Sequence, residues 1–279
     1  MRRAFEIESE EGLPIRGVVE VPDAPRCLFV IVHGFKGFKD WGFFPWISRR
    51  VAEVGAAAIR FDMSRSGIGE RAREIDRLDL FAGDTYSKEI ADLGAVIDWA
   101  SADGEVGKLP LFLFGHSRGG GVAILTADRL RGRLRGIVTW SAISKADRWS
   151  DEEKRRWRAA GKLEVTNART GQILPISTEG LDDLERNAER LDILGAARRM
   201  KIPALIVHGG ADETVPPIEA RRLAGATGNA SLVVIEKGSH TFGAVHPFAG
   251  PTPELSFAMH ATLAFLSAYC RTTRITTRE

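Results

Sequence analysis

The chain has 279 residues, 44% of them hydrophobic, enough to bury a sizeable core, and a sheet-and-helix chain of this length folds as one unit with room for an insertion. Lys and Arg number 39 against 37 for Asp and Glu, and a net charge of +2 points to neither nucleic acid nor an anionic membrane as partner. Two cysteines, Cys27 and Cys270, do not make a disulfide framework and are expected as free thiols; no apolar run approaches the roughly 20 residues needed to cross a bilayer and no signal-peptide core follows Arg2-Arg3, so the expected compartment is the cytoplasm.

From the N-terminus, residues 5–8 and 15–21 alternate as two strands across a Gly-Leu-Pro turn, which predicts an antiparallel hairpin at a sheet edge. Short, nearly all-apolar runs follow at 27–32, 56–61, 109–114, 134–140, 204–207 and 232–235. Buried parallel strands read this way because helices cover both faces of their sheet. The segments 44–54, 87–100, 119–130, 218–224 and 253–269 have the spacing of crossover helices. The expected fold class is therefore α/β, an open, mostly parallel sheet with right-handed crossovers and helices on both faces.

One interval breaks the rhythm, since about 60 residues separate Ser141 from Lys201 where a simple crossover needs far fewer. This predicts a cap at 144–200, inserted after the sixth strand between core segments 1–143 and 201–279. Within it, 151–160 reads as a charged helix with a solvated face, 163–166 and 172–176 flank the turn Asn167-Ala-Arg-Thr-Gly171 as a hairpin, and 181–199 reads as helix returning to the sheet.

The strongest chemical signal is the strand 109–114 running into Gly115-His116-Ser117-Arg118-Gly119-Gly120-Gly121 and then an apolar helix. A strand before G-x-S-x-G and a helix after it make a nucleophile elbow, in which the glycines let backbones pass closely around a strained serine. Serine alone is a poor nucleophile, so a base and an orienting acid are required later in the chain. The loop after the strand 204–207 offers Asp212, with adjacent Glu213 as its alternative; the loop after 232–235 offers His240, with His246 as competitor. Both loops leave the strands' C-terminal ends, where open α/β sheets bind ligands.

An oxyanion hole needs two convergent amides. Arg118 supplies one at the helix start, and Phe35, in His33-Gly34-Phe35-Lys36-Gly37 after the strand 27–32, supplies the other. His33, His116 and His208 are expected to serve structure, each pointing away from its functional neighbour, and Asp62 and Arg65 to form a local salt bridge or loop hydrogen bonds. The histidines are scattered and the cysteines far apart, so no metal is expected; no G-x-G-x-x-G follows a strand, so no dinucleotide and no other cofactor is expected.

On these residues the chain resembles the α/β-hydrolase superfamily: His33-Gly34-Phe35 for the oxyanion loop, Phe61-Asp62-Met-Ser-Arg-Ser-Gly67 after the fourth strand, Gly115 to Gly119 for the elbow, Gly209-Gly-Ala-Asp212-Glu-Thr-Val-Pro216 for the acid and Gly238-Ser-His240 for the base. Within it the chain is similar to bacterial carboxylesterases of the cinnamoyl and feruloyl esterase type, which carry a small insertion after the sixth strand, and to dienelactone hydrolases, from which Ser117 departs because that group normally uses cysteine. The resemblance implies hydrolysis of small to medium carboxylic esters through an acyl-enzyme, with Ser117, His240 and Asp212 as triad, a small-molecule ester as partner and a homodimer left open. Peptidase, amidase or acyltransferase chemistry would use the same triad, and a hydrolase-fold binding protein is the non-enzymatic rival. Trp149 and Trp157, with Leu163, Val165, Ile173 and Leu174 of the hairpin, are the expected substrate-facing or cap-sealing residues.

Overall fold

The N-terminal alternation forms β1 (Arg2–Glu8) and β2 (Pro14–Glu20), antiparallel with Ala4 opposite Val18, and β2 lies antiparallel against β4 (Ala56–Phe61). This chain is seen in a computed structural model that describes residues 1–69, 74–130 and 132–270. Every remaining strand of the main sheet is parallel to its neighbours: β3 (Cys27–Val32) lies between β4 and β5 (Leu111–His116), followed by β6 (Leu134–Trp140), β9 (Ala204–Gly209) and β10 (Ala230–Ile235). The mostly parallel α/β sheet expected from the apolar runs is the fold.

The reason the runs are apolar on both faces is visible in β3. Leu28, Val30 and Val32 point into the core beneath α3 (Tyr86–Ala102) and α4 (Arg118–Ala127), while Cys27, Phe29 and Ile31 point into the core beneath α1 (Phe44–Ala52) and α9 (Pro253–Tyr269). Side chains alternate with a period of two along a strand, so a strand covered twice must be apolar throughout. Each such Val, Ile, Leu or Phe contributes about 1.5–3 kcal/mol by leaving water.

The interval 144–200 leaves the C-terminal end of β6. It begins with α5 (Asp151–Ala160), started by a reciprocal Ser150–Glu153 capping box and ended by Gly161 at φ +72°. β7 (Lys162–Thr166) and β8 (Ile173–Ser177) then form a separate antiparallel pair. The single helix expected at 181–199 is instead two, α6 (Thr178–Arg186) and α7 (Ile193–Arg199), because Asp192 accepts the Gly195 N–H and starts a new helix. A short α2 (Leu78–Ala82) was not expected at all. Between β9 and β10 runs α8 (Ile218–Ala226).

The expectation of free thiols is overturned: Cys27 and Cys270, 243 residues apart in sequence, are joined by a disulfide that ties the start of β3 to the end of α9. Distance along the chain misled because β3 is a central strand and α9 packs across its face. Disulfides persist in oxidising compartments, so this bond does not support the cytoplasmic expectation. No helix among the described residues is long and apolar enough to cross a membrane.

One buried acid makes the fold pH-sensitive. Asp92 of α3 accepts the Ser64 N–H at 2.7 Å, and burial pushes its carboxyl up to about 6. The folded protein therefore binds this proton more tightly than the unfolded chain, and the stabilisation, complete below the ordinary value of about 3.9, is lost as pH rises through about 6. Asp92→Asn keeps an oxygen for Ser64. It is expected to raise the unfolding free energy by ~1–2 kcal/mol above neutral pH and to change little near pH 4, measured by urea unfolding at both; equal effects at the two pH values would assign the gain to another cause.

Candidate active site

β5 ends at His116, and the chain turns at Ser117 with φ +56° and ψ −123° before α4 begins at Arg118. A side-chain-bearing residue in that region costs on the order of 1–3 kcal/mol, so the surroundings must hold it. They do: the Ser117 N–H donates to the Trp140 carbonyl at 2.9 Å, a Cβ on Gly115 would strike the Gly119 carbonyl, and one on Gly119 would strike the carbonyls of Val32 and His33. The elbow is wedged between β3 and its own helix.

The three residues expected as nucleophile, base and acid meet here from three separate loops. The Ser117 hydroxyl donates to His240 Nε2 at 3.0 Å, and His240 Nδ1–H donates to Asp212 Oδ2 at 2.8 Å. Asp212 Oδ1 is filled by the N–H groups of Thr214 at 2.9 Å and Val215 at 2.8 Å. Burial opposes its charge, but hydrogen bonds from His208, His240 and the Val215 amide hold its carboxyl well below the usual carboxylate range. The alternatives lie elsewhere: Glu213 is exposed, and His246 accepts the Gly42 N–H at 3.0 Å beside Trp41 and Phe38.

Phe35 and Arg118 line the same cavity as Ser117, and among the described residues neither amide is matched with a backbone acceptor. Gly34 lies so near that a Cβ there would be 3.0 Å from Ser117 Cβ and 2.9 Å from the His116 carbonyl. Only glycine lets this loop approach Ser117 so closely.

The other histidines divide. His33 accepts the Met63 N–H at Nε2 and donates from Nδ1 to the Gly34 carbonyl, and burial lowers its pKa, so it holds the loop after β3 as a neutral ring. His116 does not simply point away, since its Nε2–H donates to the His240 carbonyl at 3.0 Å; burial and the neighbouring His240 push its pKa down to about 3. His208 was expected to face away from Asp212 but lies 3.4 Å from Asp212 Oδ2, with Nε2 also 2.8 Å from the Val215 carbonyl. Asp62 and Arg65 do not pair with each other: Asp62 holds Lys39 at 2.9 Å and Arg65 holds Glu11 at 2.6 Å.

Sequence reasoning missed one buried network. The Arg118 guanidinium donates to Glu89 at 2.8 Å and Asp84 at 3.1 Å, and lies 4.0 Å from the centre of the Tyr86 ring. Burial pushes both carboxyls up, Glu89 well above its usual value, against the pull of the one guanidinium they share. The network clamps the residue that follows Ser117. No signal in 84–89 distinguishes these acids from ordinary helix-start residues.

Above Ser117 opens a cavity of about 610 Å³, walled by Phe35, Trp41, Tyr86, Trp149, Trp157 and Ile176 among others. Trp157 is almost fully buried and donates to the Ile176 carbonyl at 3.1 Å, while half-buried Trp149 packs edge-on to it at 5.7 Å. Leu163, Val165 and Leu174 pack in the apolar cluster beneath the hairpin and seal the segment, while Ile173 is half exposed; none of the four lines the cavity. Among the described residues no group of three or more His, Cys, Asp or Glu side chains is placed to hold a metal.

The serine aminopeptidase S33 family model matches residues 23–166. Among solved structures, Est1E from Butyrivibrio proteoclasticus with ferulic acid bound is 23% identical, covers 95% of this chain and 98% of its own, and superposes with a TM-score of 0.71. A dienelactone hydrolase from Anabaena variabilis is 17% identical, with 97% and 99% covered and a TM-score of 0.65. At these identities the likeness establishes the fold. The chain spans about 40% of the length of the curated relatives it matches, two Mycobacterium tuberculosis proteins named "Putative phosphoribosyl transferase" that are 20% identical over 230 residues, 82% of this chain.

Proposed function

This chain belongs to the serine aminopeptidase S33 family of α/β hydrolases, and from that premise we propose that it hydrolyses carboxylic esters of small to medium acyl or aromatic acids through an acyl-enzyme. The observation that carries the reading is the continuous hydrogen-bonded line from Ser117 through His240 to Asp212 at the floor of the cavity. Asp212 fixes the tautomer of His240 so that Nε2 is free to accept. As Ser117 Oγ attacks the ester carbonyl its proton passes to Nε2, and the Phe35 and Arg118 amides receive the developing oxyanion. His240 then gives the proton to the departing alcohol, and water attacks the acyl-enzyme by the same steps in reverse.

Cleavage of an ester in preference to an amide is supported by the ferulic acid held by Est1E, a protein of this fold and length, and by the aromatic wall of the cavity here. Residues 144–200 act in this reading as a cap, because the segment leaves the edge of the sheet that bears Ser117 and supplies Trp149 and Trp157 to the cavity. The cycle draws on no cofactor. A panel of p-nitrophenyl and hydroxycinnamate esters with a matched amide, assayed before and after a serine-directed phosphonate, tests the proposal; phosphonate-sensitive ester turnover exceeding amide turnover is the expected result, and a faster amide would make the protein a peptidase or amidase.

The two tryptophans separate under mutation. Trp149→Ala is expected to change kcat/KM unequally across an ester series, by up to about 2 kcal/mol between best and worst substrates, with little change in melting temperature. Trp157→Ala, which opens a hole beneath the hairpin, is expected to cost about 3–5 kcal/mol of stability and to reduce turnover of all esters together. Uniform loss in both variants would place specificity elsewhere.

A further inference from the structure

We propose that the preferred ester carries an anionic group, a carboxylate in the form tested below, on the part of the substrate distal to the scissile carbonyl, where Lys36, Arg148 and Arg169 receive it at the wall of the Ser117 cavity. The inference rests on the ester-hydrolysing reading and adds the charge of the substrate to it. Four cations line this cavity, Lys36, Arg118, Arg148 and Arg169, together with the acids Asp84 and Glu153. Arg118 is neutralised by Asp84 and Glu89. Glu153 is engaged by the Ser150 amide at 2.8 Å and hydroxyl at 2.7 Å in the capping box.

The remaining three cations have no carboxylate within 4.0 Å among the described residues. Lys36 is half-buried and its Nζ donates to the Thr166 carbonyl at 3.2 Å. Arg148 donates one N–H to the Thr214 carbonyl at 3.1 Å; Glu219, whose charge it influences without an ion pair, has its oxygens taken by Ser144 and by Arg222 at 2.9 Å. Arg169 stands in the hairpin turn, anchored by its backbone N–H on Asn167 at 3.2 Å. A guanidinium carries five donors in a fork that matches a carboxylate, so most of the hydrogen-bonding capacity of both arginines is left for a ligand.

Convergence on one cavity, more than the lack of a partner alone, separates a ligand site from a solvated face. On the outside of 144–200, Lys154 pairs with Asp147, Arg156 with Glu152, and Arg158 with both Asp182 and Glu185. These pairs compensate most of the charged stretch of α5, which is the solvated face expected there; exposed Arg155 makes no ion pair among the described residues. Uncompensated cations face the cavity from three separate loops, those after β3, after β6 and between β7 and β8, which is an arrangement that raises the local concentration of anions.

Three p-nitrophenyl esters of matched chain length test this: the hexanoate, the hemiadipate with a terminal carboxylate, and the 6-aminohexanoate with a terminal ammonium, each corrected for spontaneous hydrolysis. The protein is expected to favour the hemiadipate over the aminohexanoate by tenfold or more in kcat/KM at low ionic strength, with the ratio shrinking at about 0.5 M salt as screening shortens to a few ångströms. The Arg148→Gln/Arg169→Gln double variant is expected to lower that ratio by roughly tenfold, two exposed pairs each contributing modestly. Arg156→Gln, on the outer face, leaves it unchanged. A ratio of one or below, or a ratio untouched by the double variant while the hexanoate is still hydrolysed, overturns the anionic preference alone. If none of the three esters is hydrolysed, the ester reading fails and takes this inference with it.

Discussion

Ser117→Ala is expected to lower kcat for the best ester by roughly four orders of magnitude or more while leaving the melting temperature within a few degrees of the parent. The size of the effect follows from the cooperation of the three side chains: without Oγ there is nothing for His240 to deprotonate and no acyl-enzyme to form. What survives is the residual catalysis of the oxyanion amides and of binding. The fold should tolerate the change, because the strained turn is held by the Ser117 N–H on the Trp140 carbonyl and by the close packing of Gly115 and Gly119, none of which involves the hydroxyl. A variant retaining more than about a tenth of parental turnover would remove Ser117 from the mechanism.

Asp212→Asn is expected to be nearly as damaging, with kcat down by about 10⁴, whereas Glu213→Gln stays close to the parent. Oδ1 of residue 212 is occupied by the Thr214 and Val215 amides and Oδ2 accepts the His240 Nδ1 proton. An asparagine that keeps its oxygen on the two amides presents an N–H to Nδ1, which drives the ring proton to Nε2 and leaves nothing there to accept from Ser117. Exposed Glu213 makes none of these contacts. The parallel pair, His240→Ala against His246→Ala, separates the ring bonded to Ser117 from the ring that holds the Gly42 amide. Inversion of either ranking in steady-state kinetics would reassign that loop.

Much of this arrangement was legible in the sequence because it is written in local patterns. The runs 27–32, 56–61 and 134–140 coincide with β3, β4 and β6, since strands buried on both faces are apolar at nearly every position, Arg60 and Arg135 being exceptions. The meeting of Ser117, His240 and Asp212 was legible because each sits at a strand end in a glycine-bounded loop, at the edge where open sheets bring such loops together. Contacts between distant segments were not. The Cys27–Cys270 bond and the clamp of Asp84 and Glu89 on Arg118 each join residues by the packing of elements, with no periodicity or motif to announce them. The break between α6 and α7 was missed for a different reason: the cap at Asp192 is local, but the apolar spacing across 181–199 outweighed it.

The central claim, a covalent route through Ser117, is tested most directly by treating the protein with a fluorophosphonate and mapping the adduct by peptide mass spectrometry alongside residual ester turnover. One adduct per chain, located on Ser117 and accumulating in proportion to lost activity, is the expected result. Ester turnover that persists in the fully labelled protein, or inactivation that tracks an adduct on a different residue while Ser117 stays unmodified, would contradict it.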